Sequence, residues 1–242
     1  MNDNGSEGFG FTTRWRRTAG VAGLCGALLF FAGDMLFYGH PGSGADFHQG
    51  LISTVRQASL ARLYAGGLVG PVAAVLCILG FWHVFLNVSP AHPRSARVLF
   101  GAFCILMISG SAIHALWTAK GLALKYCYGS NGAECQGIVQ AVSQYWNLAY
   151  YLGAAPAWFA FGFLLLLVLV GRTLYPRWMV LSNPAVVMLF SPLAERAPQP
   201  FGAILVGGFT NLSIALFFAV SILATWRGAK ETGVSRGDLL KR

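Results

Sequence analysis

Three polar residues of types that handle protons or hydrogen bonds lie in separate apolar stretches, at matching distances from a basic border. The intervals run from Arg17 to Asp34, from Arg97 to His114 and from Asn211 to Arg227. At about 1.5 Å of rise per helical residue, each polar residue lies about 24–26 Å from its arginine. Asp34, His114 and Asn211 are therefore expected to form one layer across a helical bundle.

A carboxyl group and an imidazole at one depth can share a proton, which serves acid–base chemistry on a lipid-soluble substrate or proton-coupled transport. A carboxylate costs about 2.5–3.5 kcal/mol at the centre of a membrane helix and less near the interface, so it indicates a cavity or a partner. We predict that Asp34 and His114 are a catalytic, proton-handling pair. The predicted ligand-binding residues lie at or near the same depth: Tyr38, Trp117, Tyr150, Tyr151, Glu195 and Asn211.

An interfacial position explains the same residues without a functional site. At about 25 Å into a hydrocarbon core about 30 Å thick, these side chains would lie near the headgroups and contact water. Asp34 would then be an ordinary carboxylate near Arg62. Asn211 would be a hydrogen-bonding residue between helices, beside the small Gly207 and Gly208. The sequence leaves both interpretations open.

Composition indicates that membrane helices position these residues. Of the 242 residues, 56% are hydrophobic and 10% are charged, whereas soluble domains carry about 25% charged residues. We predict an all-α fold, a polytopic bundle of six transmembrane helices with both termini in the cytoplasm. The predicted spans cover residues 18–38, 63–88, 98–119, a stretch that begins within 138–149 and ends at 170, 178–193 and 202–226.

Shorter segments complete this predicted organisation. Residues 1–17 are predicted to be a disordered cytoplasmic tail, and 227–242 a cytoplasmic C-terminal tail, around a transmembrane domain of residues 18–226. Apolar spacing within residues 50–61 predicts a short interfacial helix. The fifth span is the weakest, because prolines interrupt it, and a kinked or re-entrant segment is the alternative.

The basic residues orient the bundle. With six spans, the side that holds both termini carries Arg14, Arg16, Arg17, Arg94, Arg97, Arg172, Arg177, Arg227, Lys230, Arg236, Lys241 and Arg242, whereas the other side carries Arg56, Arg62, Lys120, Lys125 and Arg196. Cytoplasmic loops carry an excess of lysine and arginine. The termini are therefore predicted to be cytoplasmic, and the net charge of +9 reflects topology rather than a nucleic-acid partner.

The cysteines and histidines outside this layer have simpler interpretations. Cys127 and Cys135 fall in one polar outer loop, where a disulfide is expected in an oxidising compartment such as the periplasm, with two free thiols as the alternative. His83 is interpreted as an interfacial anchor. No metal or cofactor is predicted, although an outer loop contains His40, Asp46 and His48, which match a short metal-ligand pattern.

Four pieces of the chain carry a resemblance to a known family. They are AGDMLFYGH at 32–40, HALW at 114–117, YPRWMVLSNP at 175–184 and GGFTNLSIALFF at 207–218. They resemble a family of small bacterial multi-span integral membrane proteins that is known only as a domain of unknown function. The resemblance covers most of residues 18–226 and implies a bacterial inner-membrane protein. It adds no chemistry.

The leading functional hypothesis is an outer-leaflet-side intramembrane pocket that binds or chemically modifies a lipid-like small molecule, with membrane lipids as the surrounding partners. One alternative is a small proton-coupled transporter or exporter subunit. Another is a non-catalytic assembly partner of a membrane complex. Whether the chain is an enzyme stays open, because the G-x-S-x-G, H-E-x-x-H and P-loop motifs are all missing from it. The predicted location is the inner (plasma) membrane.

Overall fold

The computed structural model describes residues 4–129, 132–171 and 173–226, with side chains described from residue 14 onward. Within these residues the fold is all-α, with a single β-bridge between Gly42 and Phe201. The α-helices are α1 (Asn4–Tyr38), α2 (Phe47–Gln57), α3 (Leu60–Val88), α4 (Pro93–Cys127), α5 (Ala133–Val170), α6 (Pro184–Val187), α7 (Ser191–Glu195) and α8 (Gly202–Ala224). The all-α prediction is confirmed.

Five of these helices are long and apolar enough to cross a membrane: α1 from Arg14, α3, α4, α5 and α8. They support a membrane protein by length and composition, but they do not confirm the predicted count of six spans. The predicted fifth span is instead a chain of short helical pieces. Pro184 and Pro192 each begin a new piece, because proline lacks the amide hydrogen that a continuous helix requires.

We call residues 177–195 the broken segment. It contains 3₁₀ turns at Arg177–Ser182 and Met188–Phe190 as well as α6 and α7. Asn183 separates the first turn from α6, and its side-chain oxygen accepts a hydrogen bond from the amide of Ala185 at 2.9 Å. This is an N-cap, so the local sequence itself ends one helical piece and starts the next.

The two ends of the bundle are defined by contacts of α1. Arg16 donates from Nη2 to the carbonyl of Thr225, just after α8, at 3.2 Å. Arg62, near the start of α3, donates from Nε to the carbonyl of Leu36 at 2.6 Å. We call these ends the Arg16 end and the Tyr38 end. The start of the apolar part of α1 and the end of α8 therefore lie together.

The broken segment runs from one end of the bundle to the other. Just before it, the amide of Leu174 donates to the carbonyl of Asn87, near the Arg16 end of α3, at 3.0 Å. Just after it, Ala197 accepts a hydrogen bond at 2.9 Å from the amide of Gly44, which follows α1 at the Tyr38 end. The residues on either side of the broken segment therefore contact opposite ends of the bundle.

Helix α1 packs closely against α3. A Cβ atom added at Gly23 would lie 2.7 Å from the Cα atom of Gly80, which is too close for any side chain. Small residues allow helix backbones to approach in this way. The adjoining core is aromatic, since Phe81 stacks on Phe103 with ring centroids 3.8 Å apart and also packs beside Phe218 at 5.1 Å.

The shorter predicted segments have specific outcomes. A helix does occur near residues 50–61, as α2, but it spans Phe47–Gln57 and gives way to α3 at Leu60. Helix α3 begins directly after Ser59, whose side-chain oxygen accepts from the amide of Arg62 at 3.2 Å and so caps the start of this helix. Helix α1 is helical from Asn4, within the predicted disordered tail, since an existing helix is easily extended. Residues 1–3 and the C-terminal tail at 227–242 lie outside the described residues.

Candidate functional site

Asp34 of α1, His114 of α4 and Asn211 of α8 converge in the structure. Asn211 Nδ2 donates to Asp34 Oδ2 at 2.7 Å, and His114 Nε2 lies 3.6 Å from the other carboxyl oxygen, Oδ1. The second distance is slightly long for a hydrogen bond but close for an ion pair. Asp34 and His114 are both buried, with 8% and 7% of their surface exposed. Their equal spacing from flanking arginines therefore corresponds to real proximity.

Glycines on two helices make room for the His114 side chain. A Cβ atom at Gly33 of α1 would lie 3.1 Å from the His114 ring, and one at Gly70 of α3 would lie 2.6 Å from the His114 Cβ atom. The rings of Phe30 and Phe37 pack nearby, with centroids 4.9 and 6.0 Å from the imidazole. We call this surrounding the glycine slot. It orients the ring largely by shape.

The orientation of the ring determines how the pair can hold a proton. His114 Nδ1 lies 3.5 Å from the carbonyl oxygen of Gly66, and because a carbonyl can only accept, a hydrogen on Nδ1 would satisfy this contact. In a neutral ring, Nε2 is then an acceptor that faces Asp34. One proton between Asp34 Oδ1 and His114 Nε2 would satisfy both atoms. The arrangement can therefore hold a single proton and exchange it with a bound molecule.

These residues border a cavity of about 570 Å³ between the helices. Six of the sequence-predicted site residues line it: Asp34, Tyr38, His114, Trp117, Tyr150 and Asn211. The Tyr38 hydroxyl donates to the carbonyl of Gly207 at 3.3 Å and also lies beside the Asp34 carboxyl group. The structure thus brings most of the predicted site together, although its binding role stays a prediction.

The structure places two predicted residues elsewhere. Tyr151 follows Tyr150 on α5, but it is 71% exposed and does not line the cavity. Glu195 is exposed at the end of α7 and also lies outside the lining. Depth was a poor guide to both positions, because neighbouring residues of a helix point in different directions and the broken segment does not rise regularly.

The apolar part of the cavity extends from this polar layer toward the Arg16 end. Its walls include Leu106 and Met107 of α4, Phe161 of α5 and Ile214 of α8. The broken segment contributes Pro184, Ala185 and Met188 to the same lining. The cavity therefore has a polar part beside Asp34 and a longer apolar part.

Sequence reasoning missed two residues at the Tyr38 end of the cavity, Lys120 and Trp146. Lys120 Nζ lies 4.0 Å from the ring centroid of Trp146 and 5.5 Å from that of Trp117. Trp146 in turn stacks beside Tyr150, with centroids 5.2 Å apart. The i, i+3 spacing of Trp117 and Lys120 on α4 was an available signal, since residues three apart share a helix face.

A second polar cluster occurs at the Arg16 end and corrects the interpretation of His83 as an interfacial anchor. His83 is only 1% exposed. Its Nδ1 lies 2.8 Å from the carbonyl of Arg16, and its Nε2 lies 2.7 Å from Ser221 Oγ and 3.1 Å from Asn87 Nδ2. The Ser221 and Tyr175 hydroxyl groups lie 3.0 Å apart, and burial raises the pKa of Tyr175. We call these four side chains the Arg16-end cluster.

The cysteine and metal predictions can be compared with the described residues. The sulfur atoms of Cys127 and Cys135 lie at disulfide distance, with their Cα atoms 4.9 Å apart and within the range for a disulfide. Among the residues that the structure describes, no three histidine, cysteine, aspartate or glutamate side chains converge on a possible metal site. His40, Asp46 and His48 accordingly do not form one.

Comparison with curated proteins and with solved structures gives no significant match. A family model does match, and it covers residues 1–227. This range includes the cluster of Asp34, His114 and Asn211, the Arg16-end cluster and all five candidate spanning helices. The chain therefore belongs to the family of unknown function DUF6796.

Proposed function

We propose that this chain is an integral membrane protein whose cavity binds or chemically modifies a lipid-like small molecule, with Asp34 and His114 as its proton-handling pair. One observation carries the proposal. Two buried ionisable side chains, 3.6 Å apart, face each other at the wall of a cavity of about 570 Å³. Buried ionisable residues in a membrane bundle are costly and usually line a cavity or a substrate path.

The lining favours a molecule with one polar part and a longer apolar part. Ligand cavities of about 300–1,000 Å³ typically combine apolar walls with a few polar groups that fix orientation. Asn211, Tyr38 and Tyr150 supply such groups beside Asp34. Trp158 of α5 also lines the cavity and is 54% exposed. An exposed apolar wall supports entry from the surrounding lipid.

In this proposal the pair accepts or donates one proton at the ligand. The proton resides between Asp34 Oδ1 and His114 Nε2, while Asn211 keeps the other carboxyl oxygen, Oδ2, hydrogen-bonded. A ligand hydroxyl, amine or carboxyl group placed beside them would exchange its proton with the pair. This is general acid–base chemistry if a bond breaks, and selective binding if none does.

The same proposal gives the chain six membrane crossings, with the broken segment as the fifth. Contacts of Leu174 and Ala197 at opposite ends of the bundle support this crossing. Irregular backbone is tolerated at membrane depth where it lines a cavity, as Pro184 does. The excess of basic residues supports a cytoplasmic Arg16 end, and the proposed location is the inner (plasma) membrane. Cys127 and Cys135 would then face an oxidising compartment as a disulfide.

The test is the set of small molecules that co-purify with the chain. Protein extracted with its surrounding lipid would be analysed by native mass spectrometry, with Asp34→Asn, His114→Ala and the control Tyr151→Phe. We expect the wild type and Tyr151→Phe to retain a common lipid-like species that both site variants lose. Identical retention by all four proteins, or no retained species in the wild type, would contradict the proposal.

A proton-coupled transporter is the second candidate, and the broken segment favours it. Discontinuous helices that line a central cavity are typical of transporters, and Pro184, Ala185 and Met188 fit that description. The Arg16-end cluster, however, packs the helices together at the Arg16 end of the bundle. Transport would therefore require this cluster to separate. Proteoliposomes with an imposed pH gradient test this candidate, since a flux that ignores the gradient would rule out proton coupling.

A further inference from the structure

We propose that the cavity ligand is a single-chain amphiphile with an anionic headgroup, which Lys120 and Trp146 bind at the Tyr38 end. This inference rests on the proposed function, because it identifies the class of molecule that occupies the same cavity. It adds a charge requirement and a direction of binding. The anionic group lies at the Tyr38 end, the polar group that exchanges a proton lies beside Asp34, and the apolar chain extends from there toward the Arg16 end.

Three cationic side chains near the Tyr38 end show why Lys120 is distinctive. Arg62 donates to the carbonyls of Leu36, Met35 and Gly39 at 2.6, 2.9 and 3.0 Å. Lys125 donates to the carbonyls of Arg56 and Ala58 at 2.9 and 2.8 Å. Both cations thus stabilise the fold by binding helix ends or loops.

Lys120 has no such acceptor among the described residues, and it lines the cavity. Its Nζ contacts the indole rings of Trp146 and Trp117 instead. A half-buried ammonium group that lies only on aromatic faces leaves its hydrogens without an acceptor. A ligand anion would supply the missing acceptor.

Trp146 provides a second donor of the same kind. Its indole nitrogen, Nε1, is buried and has no hydrogen-bond acceptor within the described part of the chain. A buried donor without an acceptor is unfavourable and calls for a partner. Because Lys120 Nζ lies 4.0 Å from the Trp146 ring centroid, one group with several acceptor oxygens, such as a carboxylate or a phosphate, can reach both residues.

The only carboxylate among the lining residues, Asp34, is already engaged. It accepts from Asn211 and faces His114. His114 precedes Lys120 by six residues on α4, which places the acidic layer about 9 Å along the helix axis from the cation. The cavity therefore has a cationic end and a separate proton-handling layer, and an anionic headgroup favours the cationic end.

The dimensions favour one hydrocarbon chain. Helix α4 lines the cavity from Leu106 to Lys120, which corresponds to about 21 Å along its axis. Below His114 the lining is largely apolar and includes Met107, Phe161 and Ile214. A volume of about 570 Å³ is in the range of pockets for drug-sized ligands, which suits a single chain with its headgroup.

The experiment compares probes that share a chain and differ in the headgroup. Dodecanoate, dodecyl phosphate and the uncharged dodecanol are titrated into the full-length chain in nanodiscs, and bound probe is counted by native mass spectrometry. We expect the two anions to bind about tenfold more tightly than dodecanol. Inorganic phosphate without a chain should not compete, which distinguishes an amphiphile from a free anion.

Lys120→Gln should remove the preference for anions, so that dodecanoate and dodecanol bind this variant about equally. Lys120→Arg, which keeps the charge, should retain most of that preference and controls for misfolding. Lys125→Gln is the matched control, since it removes a cation from the same end without touching the cavity lining.

The outcomes separate the two proposals. Equal binding of dodecanoate and dodecanol, unaffected by Lys120→Gln, would overturn the anionic headgroup and leave the lipid-binding cavity intact. Competition by inorganic phosphate alone would also overturn it. If no probe binds to the wild type, both proposals fail together.

Discussion

Two clusters of polar side chains interrupt the apolar bundle, and they are built differently. The Arg16-end cluster packs His83, Asn87, Tyr175 and Ser221 together, with hydrogen bonds of 2.7–3.1 Å linking His83 to its neighbours. Apart from Asn87 Oδ1, its side-chain polar atoms have partners among the described residues. Near the Tyr38 end, Asp34 accepts from Asn211 at 2.7 Å, but its contact with His114 is looser, at 3.6 Å, and lies at the wall of a cavity.

This comparison distinguishes polar side chains that hold helices together from polar side chains that are suited to binding a ligand. In the Arg16-end cluster, His83 on α3 contacts the backbone of α1 and the side chain of Ser221 on α8, so it links three helices. The Asp34–His114 pair also links helices, but its 3.6 Å separation leaves capacity for another partner. A tightly hydrogen-bonded network specifies packing, whereas a loosely paired carboxyl group and imidazole at the wall of a cavity are suited to a ligand.

The largest effect is expected for His83→Leu. This change removes both ring nitrogens and leaves the Arg16 carbonyl, Asn87 and Ser221 without their central partner. We expect a loss of about 3 kcal/mol in the free energy of unfolding, because several buried polar groups lose hydrogen bonds. Thermal unfolding in nanodiscs, followed by tryptophan fluorescence, measures it.

Tyr175→Phe is the matched, smaller change for the same cluster, since it removes one hydroxyl group and should cost about 1 kcal/mol. In both variants the folded fraction should still bind dodecanoate. Normal stability of His83→Leu would show that the Arg16-end cluster is not a structural network, and the comparison would no longer hold.

An intermediate effect is expected for Gly33→Val, which fills the glycine slot. The new side chain would press on the His114 ring, since a Cβ atom at this position already lies 3.1 Å from it. Overpacking of this kind costs about 1–3 kcal/mol and would displace the imidazole from Asp34. Gly101→Val is a control, because a Cβ atom there has nothing within 4 Å.

For Gly33→Val and Gly101→Val, both thermal unfolding and retention of the co-purified lipid-like species are measured. Gly33→Val should impair both, whereas Gly101→Val should impair neither. Full retention by a destabilised Gly33→Val protein would mean that the position of His114 does not matter to binding.

A smaller effect on stability is expected for Asp34→Asn. An asparagine can still accept from Asn211 and can donate to His114 Nε2, so the free energy of unfolding should change by less than about 1 kcal/mol. Ligand retention should nevertheless be lost. A large loss of stability in unfolding experiments would instead assign Asp34 a structural role like that of His83.

The smallest effects are expected for Tyr151→Phe and Glu195→Gln. Both residues are exposed and lie outside the cavity lining, so stability should change by less than about 0.5 kcal/mol. Titration with dodecanoate should also give unchanged affinity. A clear loss of binding in either variant would extend the site beyond the cavity described above.

Sequence periodicity and charge predicted much of the bundle, because a long apolar helix leaves a simple signature. The depth argument also brought Asp34, His114 and Asn211 together, since helices in one membrane share a common border. It failed for Glu195, where prolines make the rise irregular. The depth argument did not predict that His83 is buried, because burial between three helices depends on tertiary packing and not on the residues next to His83 in the sequence.

The sequence also did not show in which direction each side chain points from its helix. Tyr150 and Tyr151 share a depth, yet only Tyr150 lines the cavity. The predicted span 98–119 ends just before Lys120, whereas α4 continues to Cys127 and carries Lys120 along the cavity wall. Lys120 therefore reaches the cavity because α4 extends beyond its apolar residues, and the apolar pattern alone does not predict this extension.

The glycine slot also has a dynamic consequence. Gly33 of α1 and Gly70 of α3 confine the His114 imidazole on one side, while its other side borders the cavity. Turning of the ring toward α1 and α3 would require these helices to separate, a collective motion that belongs to the microsecond-to-millisecond range. The ring is therefore a built-in reporter, and its exchange broadening in NMR spectra would measure how often these two helices part.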